Sequence, residues 1–248
     1  MEKFVGRSGG LVTSLSSCAV TVIAANRVAN AGYDMDGKRP KKRAVKGDTY
    51  YGKIAENYEQ RRTKQDWWWK EHEMMAACLG SLPHNQSLLD VPFGTGRFLS
   101  IYKALGHKVH GLDASGEMIA QARKLRESEF EGVETTVGSA MALPFEDKSF
   151  DVLISVRFLS EIITFADATV ALQEFVRVTR STVVVELTDR TAGEGRVPGP
   201  EEAMRDLMDA GQVDSWLGEN GLDPVKRFAV REQPKLGSTM NLIMCHVR

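Results

Sequence analysis

A glycine-rich loop follows a short apolar run near the middle of the chain. Residues 87–91 read Ser-Leu-Leu-Asp-Val, and Gly94-Thr95-Gly96 follow shortly before a segment with helical periodicity. Glycines in such a loop let a polar ligand approach the backbone closely, and the amides that open the next helix attract it. The stretch therefore predicts a ligand site where a strand ends, a loop turns and a helix begins.

Three kinds of ligand are compatible with a loop of this type. A phosphate-binding loop of the Walker type requires Lys followed by Ser or Thr after its last glycine, but Arg97-Phe98 stand there. A dinucleotide loop, G-x-G-x-x-G/A, requires a small third residue, and the larger Leu99 would crowd the contact between helix and strand. S-adenosylmethionine, which carries no pyrophosphate, is the third possibility.

A carboxylate stands where it would accept hydrogen bonds from a ribose. Asp113 ends the second apolar run, 108–113, and follows Gly96 by seventeen residues. An acid at the end of the second strand can accept both ribose hydroxyls. After the glycine loop and Asp113 comes a third distinctive segment, Leu143-Pro144-Phe145 followed by Phe150-Asp151, which leads into another apolar run. Turn geometry alone explains the glycines but not this acid and this segment together.

The elements that position these residues alternate between strand and helix, as in a parallel sheet covered on both faces. Apolar runs predict five such strands at 87–91, 108–113, 133–138, 149–156 and 181–187. Helical patterns occupy 97–106, 116–128, 166–179 and 203–221, and a short and a longer helix ending near Gly80 precede the sheet. Two closing strands, 224–232 and 240–248, are joined by a short connection, which makes them antiparallel. We expect an α/β, Rossmann-like sheet of seven mostly parallel strands, with one antiparallel strand near the edge and extra N-terminal helices.

Charge divides the chain of 248 residues into two parts. Residues 1–47 carry nine Lys or Arg and three acids, although the whole chain has a net charge of −1. We expect a basic N-terminal extension over 1–47 and one ligand-binding domain over 48–248. The overall balance argues against a wholly basic nucleic-acid binder, and no apolar run is long enough to span a membrane. The basic run 37–48 is interpreted as a solvated linker, with contact to nucleic acid or anionic lipid as the alternative.

The cysteines are few and scattered. Cys18, Cys78 and Cys245 form no C-x-x-C pair, so neither a zinc site nor a disulfide framework is expected, and a reducing cytoplasm fits best. We expect them to be small buried residues, and no metal site is predicted.

Four segments in order carry a family resemblance. LLDVPFGTGRFL (88–99) resembles the first motif of class I S-adenosylmethionine-dependent methyltransferases, D/E-x-G-x-G-x-G, with Pro92 in place of its first glycine. VHGLDAS, SGEMIAQAR and VGSAMALPFEDKSFDVLIS resemble the family's following segments, with Ser139 in place of a usual Asp. The resemblance covers about residues 50–248. It is closest to the small-molecule group, type 11, which includes enzymes similar to those of ubiquinone biosynthesis.

The resemblance implies S-adenosylmethionine as cofactor and a set of residues that bind it. These are Asp90, Pro92, Gly94, Gly96, Asp113, Ala114, Met118, Ser139, Ala140, Met141 and Ser155. Met118 is expected against the adenine, Asp113 on the ribose, and Ser139 or the Ala140 backbone at the adenine amine.

Three residues are candidates for the methyl-transfer site. Arg157 follows the fourth strand and is expected to bind an anion or position the acceptor, with a surface ion pair as the alternative. Glu161 lies one helical turn further and would act as a base or pair with Arg157. Tyr51 and Tyr58 lie where the family often has a lid helix over the cofactor. Tyr51 is the preferred candidate because it opens this segment, whereas for Tyr58 packing in the core is an equal alternative. Of Trp67, Trp68 and Trp69, at least one should be buried, because neighbours on a helix point about 100° apart.

The sequence favours methyl transfer to a small-molecule acceptor by in-line displacement. The tetrad N-P-P-Y of nucleic-acid amino-methyltransferases is missing after the fourth strand, and no Pro-Cys pair is present for attack on cytosine. The alternatives are a nucleic-acid or ribonucleoprotein methyltransferase anchored by the basic arm, and a non-catalytic assembly or regulatory protein. Pro92 and Ser139 motivate the last of these. The sequence indicates neither the acceptor atom nor the oligomeric state.

Overall fold

The computed structural model of the chain describes residues 50–160 and 162–248. The expectations for the basic extension, 1–47, and for Cys18 and Glu161 therefore lie outside the described residues. Among the described residues, no helix is both long and apolar enough to cross a bilayer.

The described residues form a seven-stranded sheet with helices on both faces, as predicted. The strands are Ser87–Asp90 (β1), Lys108–Asp113 (β2), Glu134–Val137 (β3), Phe150–Ser155 (β4), Thr179–Arg190 (β5), Leu222–Gln233 (β6) and Ser238–Val247 (β7). Their order is β3-β2-β1-β4-β5-β7-β6. Strand β7 runs antiparallel to both of its neighbours, β5 and β6, and it lies second from the edge. The strand order reverses between β1 and β4, which is where sheets of this kind bind ligands beyond the carboxyl ends of their strands.

Seven α-helices surround this sheet in the described part of the chain. They are Lys53–Glu56 (α1), Tyr58–Arg62 (α2), Asp66–Leu79 (α3), Leu99–Ala104 (α4), Gly116–Leu125 (α5), Phe165–Val178 (α6) and Ala210–Glu219 (α7). Side-chain caps begin the later helices: Ser115, Thr164 and Asp209 each accept a hydrogen bond from a backbone N–H of the first turn. Such caps satisfy amides that have no partner within the helix.

Two cores lie on opposite faces of the sheet because neighbouring strand residues point in opposite directions. Val183 and Val185 of β5 pack with α6 and α7, whereas Val184 packs with α3 and α4. All three valines are fully buried. The central strands are therefore covered on both sides, as expected for a parallel sheet.

Two helix predictions were wrong in their boundaries. The helix predicted over 203–221 begins only at Ala210, because Asp209 and Gln212 form a reciprocal capping box that fixes its start. The preceding residues are not helical, yet Met204 and Met208 are buried in the core. At the N-terminal end there are two short helices and one longer helix, not one of each.

The tryptophans and the described cysteines behave as predicted. Trp68 is buried at 3% exposure, Trp69 is 61% exposed, and the exposure of Trp67 is intermediate. Cys78 and Cys245 are fully buried free thiols, and burial raises the pKa of each to about 12.

Candidate functional site

The glycine loop turns sharply between β1 and α4. Gly94 and Gly96 have φ angles of 57° and 64°, in the left-handed region that non-glycine residues rarely adopt. Between them and β1 stands Pro92, joined to Val91 by a cis peptide bond. The two loop glycines predicted from sequence are therefore required by the backbone of the turn itself.

The Asp113 carboxylate connects this loop to the end of β2. Its Oδ2 accepts a hydrogen bond from the Gly94 N–H at 2.7 Å, and its Oδ1 accepts one from the Ser115 N–H at 2.8 Å. Burial raises the pKa of Asp113, and these two N–H donors oppose the rise. A carboxylate has about four acceptor positions, so each oxygen retains capacity for a further donor such as a hydroxyl.

A second carboxylate, Asp90, lies beneath the loop at the end of β1. It is 4% exposed, and its Oδ2 accepts a hydrogen bond from the Tyr102 hydroxyl at 3.0 Å. Burial raises its pKa well above the usual range, and the nearby Asp113 charge raises it further. Asp90 lines the loop cavity together with Pro92 and Gly94.

The start of α5 lies against the same loop. The Ser115 Oγ accepts a hydrogen bond from the Met118 N–H at 3.3 Å and donates one to the Tyr50 carbonyl at 2.9 Å. Met118 is buried, and its Cε comes within 3.8 Å of the position that a Cβ on Gly94 would occupy. Ala114 is exposed between these residues. The structure thus brings Met118 to the glycine loop, and its contact with adenine stays a prediction.

The connection from β3 to β4 contains three further predicted cofactor residues, Ser139, Ala140 and Met141. The Ser139 Oγ accepts a hydrogen bond from the Met141 N–H at 3.2 Å, so this hydroxyl closes a local turn, and Ala140 is buried beside it. The Gly138 N–H donates to the Asp113 carbonyl at 3.0 Å, which places this turn next to the end of β2. No described contact joins residues 139–141 to the loop cavity, and their role stays a prediction.

The end of β4 contributes two predicted residues to the site. Ser155 is 1% exposed, and among the described residues its Oγ has no hydrogen-bond partner. Arg157 lines the loop cavity and has a φ of 58°, a strained conformation for a residue with a side chain. Such strain persists where the surrounding structure enforces it, often at functional sites.

Tyr58, and not the exposed Tyr51, lines the loop cavity. The roles of Tyr51, Arg157 and Glu161 stay predictions.

A buried ion pair that sequence reasoning missed attaches α3 to the loop. The Arg97 guanidinium pairs with the Glu71 carboxylate, donates to the Trp68 carbonyl, and lies 3.4 Å from the centroid of the Trp68 ring. Glu71 is fully buried, and its second oxygen is 3.8 Å from Nη1 of Arg157. Burial lowers the pKa of Arg97 to about 9. One signal was readable: Glu71 shares a helical face with Trp68, Met75 and Cys78, so an acid on an apolar stripe required a cationic partner.

Side chains from the N-terminal helices cover the glycine loop. Tyr58 and Trp68 lie over it with Arg97, and the space left among these residues and the loop is about 60 Å³. Sites for small ligands enclose about 300–1,000 Å³. These covering side chains must therefore move when a nucleoside-sized ligand binds.

The loop is surrounded by hydrogen-bond donors and acceptors, and the described residues offer no cluster of metal ligands beside them. Asp90 and Thr95 line the loop cavity, and Oγ1 of Thr95 has no partner among the described residues. The Asp113 carboxylate is attached to the loop through the Gly94 N–H. No group of three or more metal-ligating side chains occurs in 50–160 or 162–248. The arrangement suits a neutral or cationic nucleoside with free ribose hydroxyls better than a phosphate, because a phosphate would be repelled by a carboxylate beside the loop.

Comparison with known proteins points to one family. Residues 89–185 match a family model described as "Methyltransferase domain". The chain is 34% identical over 108 residues to a demethylmenaquinone methyltransferase of Bacillus licheniformis, covering 41% of this chain and 45% of that protein. It is 32% identical over 132 residues to a malonyl-[acyl-carrier protein] O-methyltransferase of Erwinia billingiae, covering 52% of this chain and 47% of that protein. The chain thus spans about half the length of the curated relatives it matches.

Solved structures share the fold at low sequence identity. Magnesium protoporphyrin IX methyltransferase from Synechocystis, with bound S-adenosylhomocysteine, superposes with a TM-score of 0.62 at 15% identity over 82% of this chain and 98% of that one. A Burkholderia thailandensis 1,6-didemethyltoxoflavin-N1-methyltransferase superposes with a TM-score of 0.61 at 15% identity over 96% of this chain and 93% of that one.

Proposed function

We propose that the chain is a class I methyltransferase, whose methyl donor is S-adenosylmethionine, and that it methylates a small-molecule acceptor. The observation that supports this most is the Gly94–Asp113 hydrogen bond, 2.7 Å long, across the ends of β1 and β2. It holds a carboxylate with spare acceptor capacity beside a loop that presents bare backbone. That combination suits the ribose of an adenosyl group.

The residues present fit this methyl donor on several independent points. Asp113 can accept the ribose hydroxyls, and Met118 offers an apolar thioether surface beside Gly94. The hydroxyls of Thr95 and Ser155, buried without partners among the described residues, can bind polar groups of the amino-acid part. Tyr58 and Trp68 would then close over the donor and exclude water.

The reaction itself needs little from the protein beyond positioning. The donor supplies a methyl group on a sulfonium; a lone pair of the acceptor forms the new bond to carbon while the carbon–sulfur bond breaks and its electron pair stays on sulfur. Holding the acceptor in line with that bond is the main contribution of the chain. A base is required only when the acceptor arrives protonated, and Glu161 remains the candidate for that role.

A small-molecule acceptor is supported by the kind of relatives found. The curated matches act, by their names, on demethylmenaquinone or on a malonyl group carried by a protein. We propose that this chain likewise takes an acceptor small enough to enter between the N-terminal helices and the end of β4. Arg157 would position it, because this residue lines the loop cavity at the carboxyl end of β4.

Turnover with labelled donor tests the proposal. The full chain is incubated with methyl-labelled S-adenosylmethionine and a panel of phenols, hydroquinones and carboxylic acids, and label in the organic product is counted. We expect transfer to at least one acceptor class, lost in Asp113→Ala and retained in Asp223→Ala, a matched change at an exposed aspartate on β6. Donor binding without transfer to any acceptor would favour a non-catalytic role.

A further inference from the structure

Three guanidinium groups converge on one half-buried indole outside the loop cavity. The Cζ atoms of Arg157, Arg62 and Arg231 lie 4.4, 5.7 and 5.9 Å from the centroid of the Trp67 ring. They come from three separate parts of the chain: the end of β4, α2 and β6. Like charges held this near one ring repel one another, so an anion that joins them would be stabilised.

Among the described residues, one of the three arginines, Arg157, lies against an acidic side chain. Glu71 lies 3.8 Å from Nη1 of Arg157. Neither Arg62 nor Arg231 forms an ion pair with any carboxylate in 50–160 or 162–248. The Trp67 ring attracts each cation by only about 0.5–1 kcal/mol at exposed sites, far less than a paired carboxylate in a desolvated site.

Trp67 also forms one wall of an open cleft of about 670 Å³ between α3 and β6. Lys64, Lys70 and Arg231 line this cleft against one acid, Asp66, and Lys70 is itself paired with Glu73 at 3.1 Å. The cleft is therefore positively charged, and its size lies within the range of small-molecule sites, about 300–1,000 Å³.

The cleft and the loop cavity meet at one pair of side chains. Arg157 lines the loop cavity, Trp67 lines the cleft, and the two are in contact. A molecule anchored in the cleft therefore lies one side-chain layer from the loop where the methyl donor would bind. A displacement of this pair would connect the two spaces.

We propose that this cleft recognises an oxyanion of the methyl acceptor, a carboxylate or a phosphate monoester, through Arg231 and Lys64 of its lining and through Arg62, which lies beside the Trp67 wall. Guanidinium groups bind both kinds of oxyanion with paired, charge-assisted hydrogen bonds. The acceptor's nucleophile would then extend past Trp67 toward Arg157. That the bound oxyanion belongs to a methyl acceptor rests on the proposed function, but oxyanion binding itself is measurable without turnover.

Calorimetric titration with three simple probes tests the proposal. Benzoate and phenyl phosphate carry the two oxyanions on the same ring, and benzamide is the uncharged counterpart. Each is titrated into the full chain, alone and saturated with S-adenosylhomocysteine. The test variant is Arg62→Gln/Arg231→Gln. The control is Arg61→Gln/Lys235→Gln, which removes the same charge from exposed positions on the same helix and beyond β6.

We expect at least one oxyanion probe to bind more tightly than benzamide, and its affinity to fall about tenfold in the test variant but not in the control. Binding of benzoate alone, or of phenyl phosphate alone, would support the proposal and identify the oxyanion. Equal binding of benzamide, or an equal loss in the control, would overturn it. So would binding of a short single-stranded RNA with no binding of either small oxyanion.

The S-adenosylhomocysteine titration separates this result from the proposed function. If that compound binds and the oxyanions do not, the inference fails and the methyl-donor site stands. If the oxyanions bind and S-adenosylhomocysteine does not, the cleft is an anion site and the proposed function fails.

Discussion

Replacing Gly111 by Ala tests how the glycine loop is held. Gly111 lies in β2 directly under Phe93, and a Cβ there would come within 2.5, 2.6 and 2.8 Å of three Phe93 ring carbons. Carbon atoms in contact prefer separations of about 3.5–4.0 Å, so the ring must shift by about 1 Å. Phe93 is 3% exposed and stands between Pro92 and Gly94, and its N–H donates to the Leu112 carbonyl at 2.8 Å. Its shift therefore displaces the loop.

The expected loss of stability follows from the overpacking. Forcing extra volume into a packed core costs about 1–3 kcal/mol, and each kcal/mol lowers the Tm of a domain this size by about 2–4 °C. Gly111→Ala should therefore lower the Tm by about 2–12 °C and weaken binding of S-adenosylhomocysteine. Gly116→Ala is the matched control, since its Cβ would meet Val137 at an ordinary 3.6 Å. Its Tm should be unchanged or slightly higher, because alanine favours a helix.

A second substitution distinguishes the Phe93 contact from a general effect on β2. Phe93→Leu removes the ring atoms that the new Cβ would meet, so the double variant Gly111→Ala/Phe93→Leu should lose less stability than the sum of the two single variants. Thermal unfolding followed by circular dichroism measures all four proteins. Additive losses, or a Gly111→Ala protein as stable as the Gly116→Ala control, would refute this account of the loop.

Three further predictions follow from buried or paired ionisable groups. Glu71→Gln leaves the Arg97 guanidinium buried opposite a neutral amide and should lower the free energy of unfolding by about 3–5 kcal/mol. The double variant Glu71→Gln/Arg97→Met should recover part of this loss. Urea unfolding measures both variants, and a loss near zero in Glu71→Gln would contradict the pairing. Hydrogen bonds from Arg180 and Ser87 hold the pKa of Asp151 well below its usual range, so its contribution to stability is present above the unfolded pKa of about 3.9 and is lost as pH falls toward the lower folded pKa. Asp151→Asn should accordingly show a smaller loss of unfolding free energy on acidification than the unaltered chain, and equal slopes would exclude this role. Because burial raises the pKa of Cys78 and Cys245 to about 12, a Cys18→Ser chain should react with a thiol reagent at about pH 8 only after denaturation, and rapid labelling of the folded chain would show that these thiols are accessible.

The architecture was predictable because its signals are local. Strand β2 ends at Asp113 as expected, since an apolar run and a terminal acid are both visible in the sequence. The late start of α7 was also readable, because Asp209 and Gln212 have the spacing of a capping box, but the apolar residues before them suggested a longer helix. Methionines in that segment pack in the core without being helical, which periodicity cannot distinguish.

The side chains that cover the glycine loop were not predictable, since their positions depend on contacts between elements far apart in the sequence. Arg97 and Glu71 are separated by 26 residues, and nothing in either segment specifies the other as partner. Sequence reasoning favoured Tyr51 over Tyr58, but only the packing of α2 against the loop determines which ring lines the cavity. The three arginines around Trp67 come from elements that meet only in the folded chain.

Calorimetric titration with S-adenosylmethionine and S-adenosylhomocysteine tests the central claim most directly. We expect both compounds to bind the unaltered chain, Asp113→Ala to weaken binding sharply while Asp223→Ala does not, and NADH not to bind. Circular dichroism of each variant confirms that it is folded. Binding of neither compound, or equal binding by a folded Asp113→Ala chain, would contradict the claim that the glycine loop and Asp113 form the methyl-donor site.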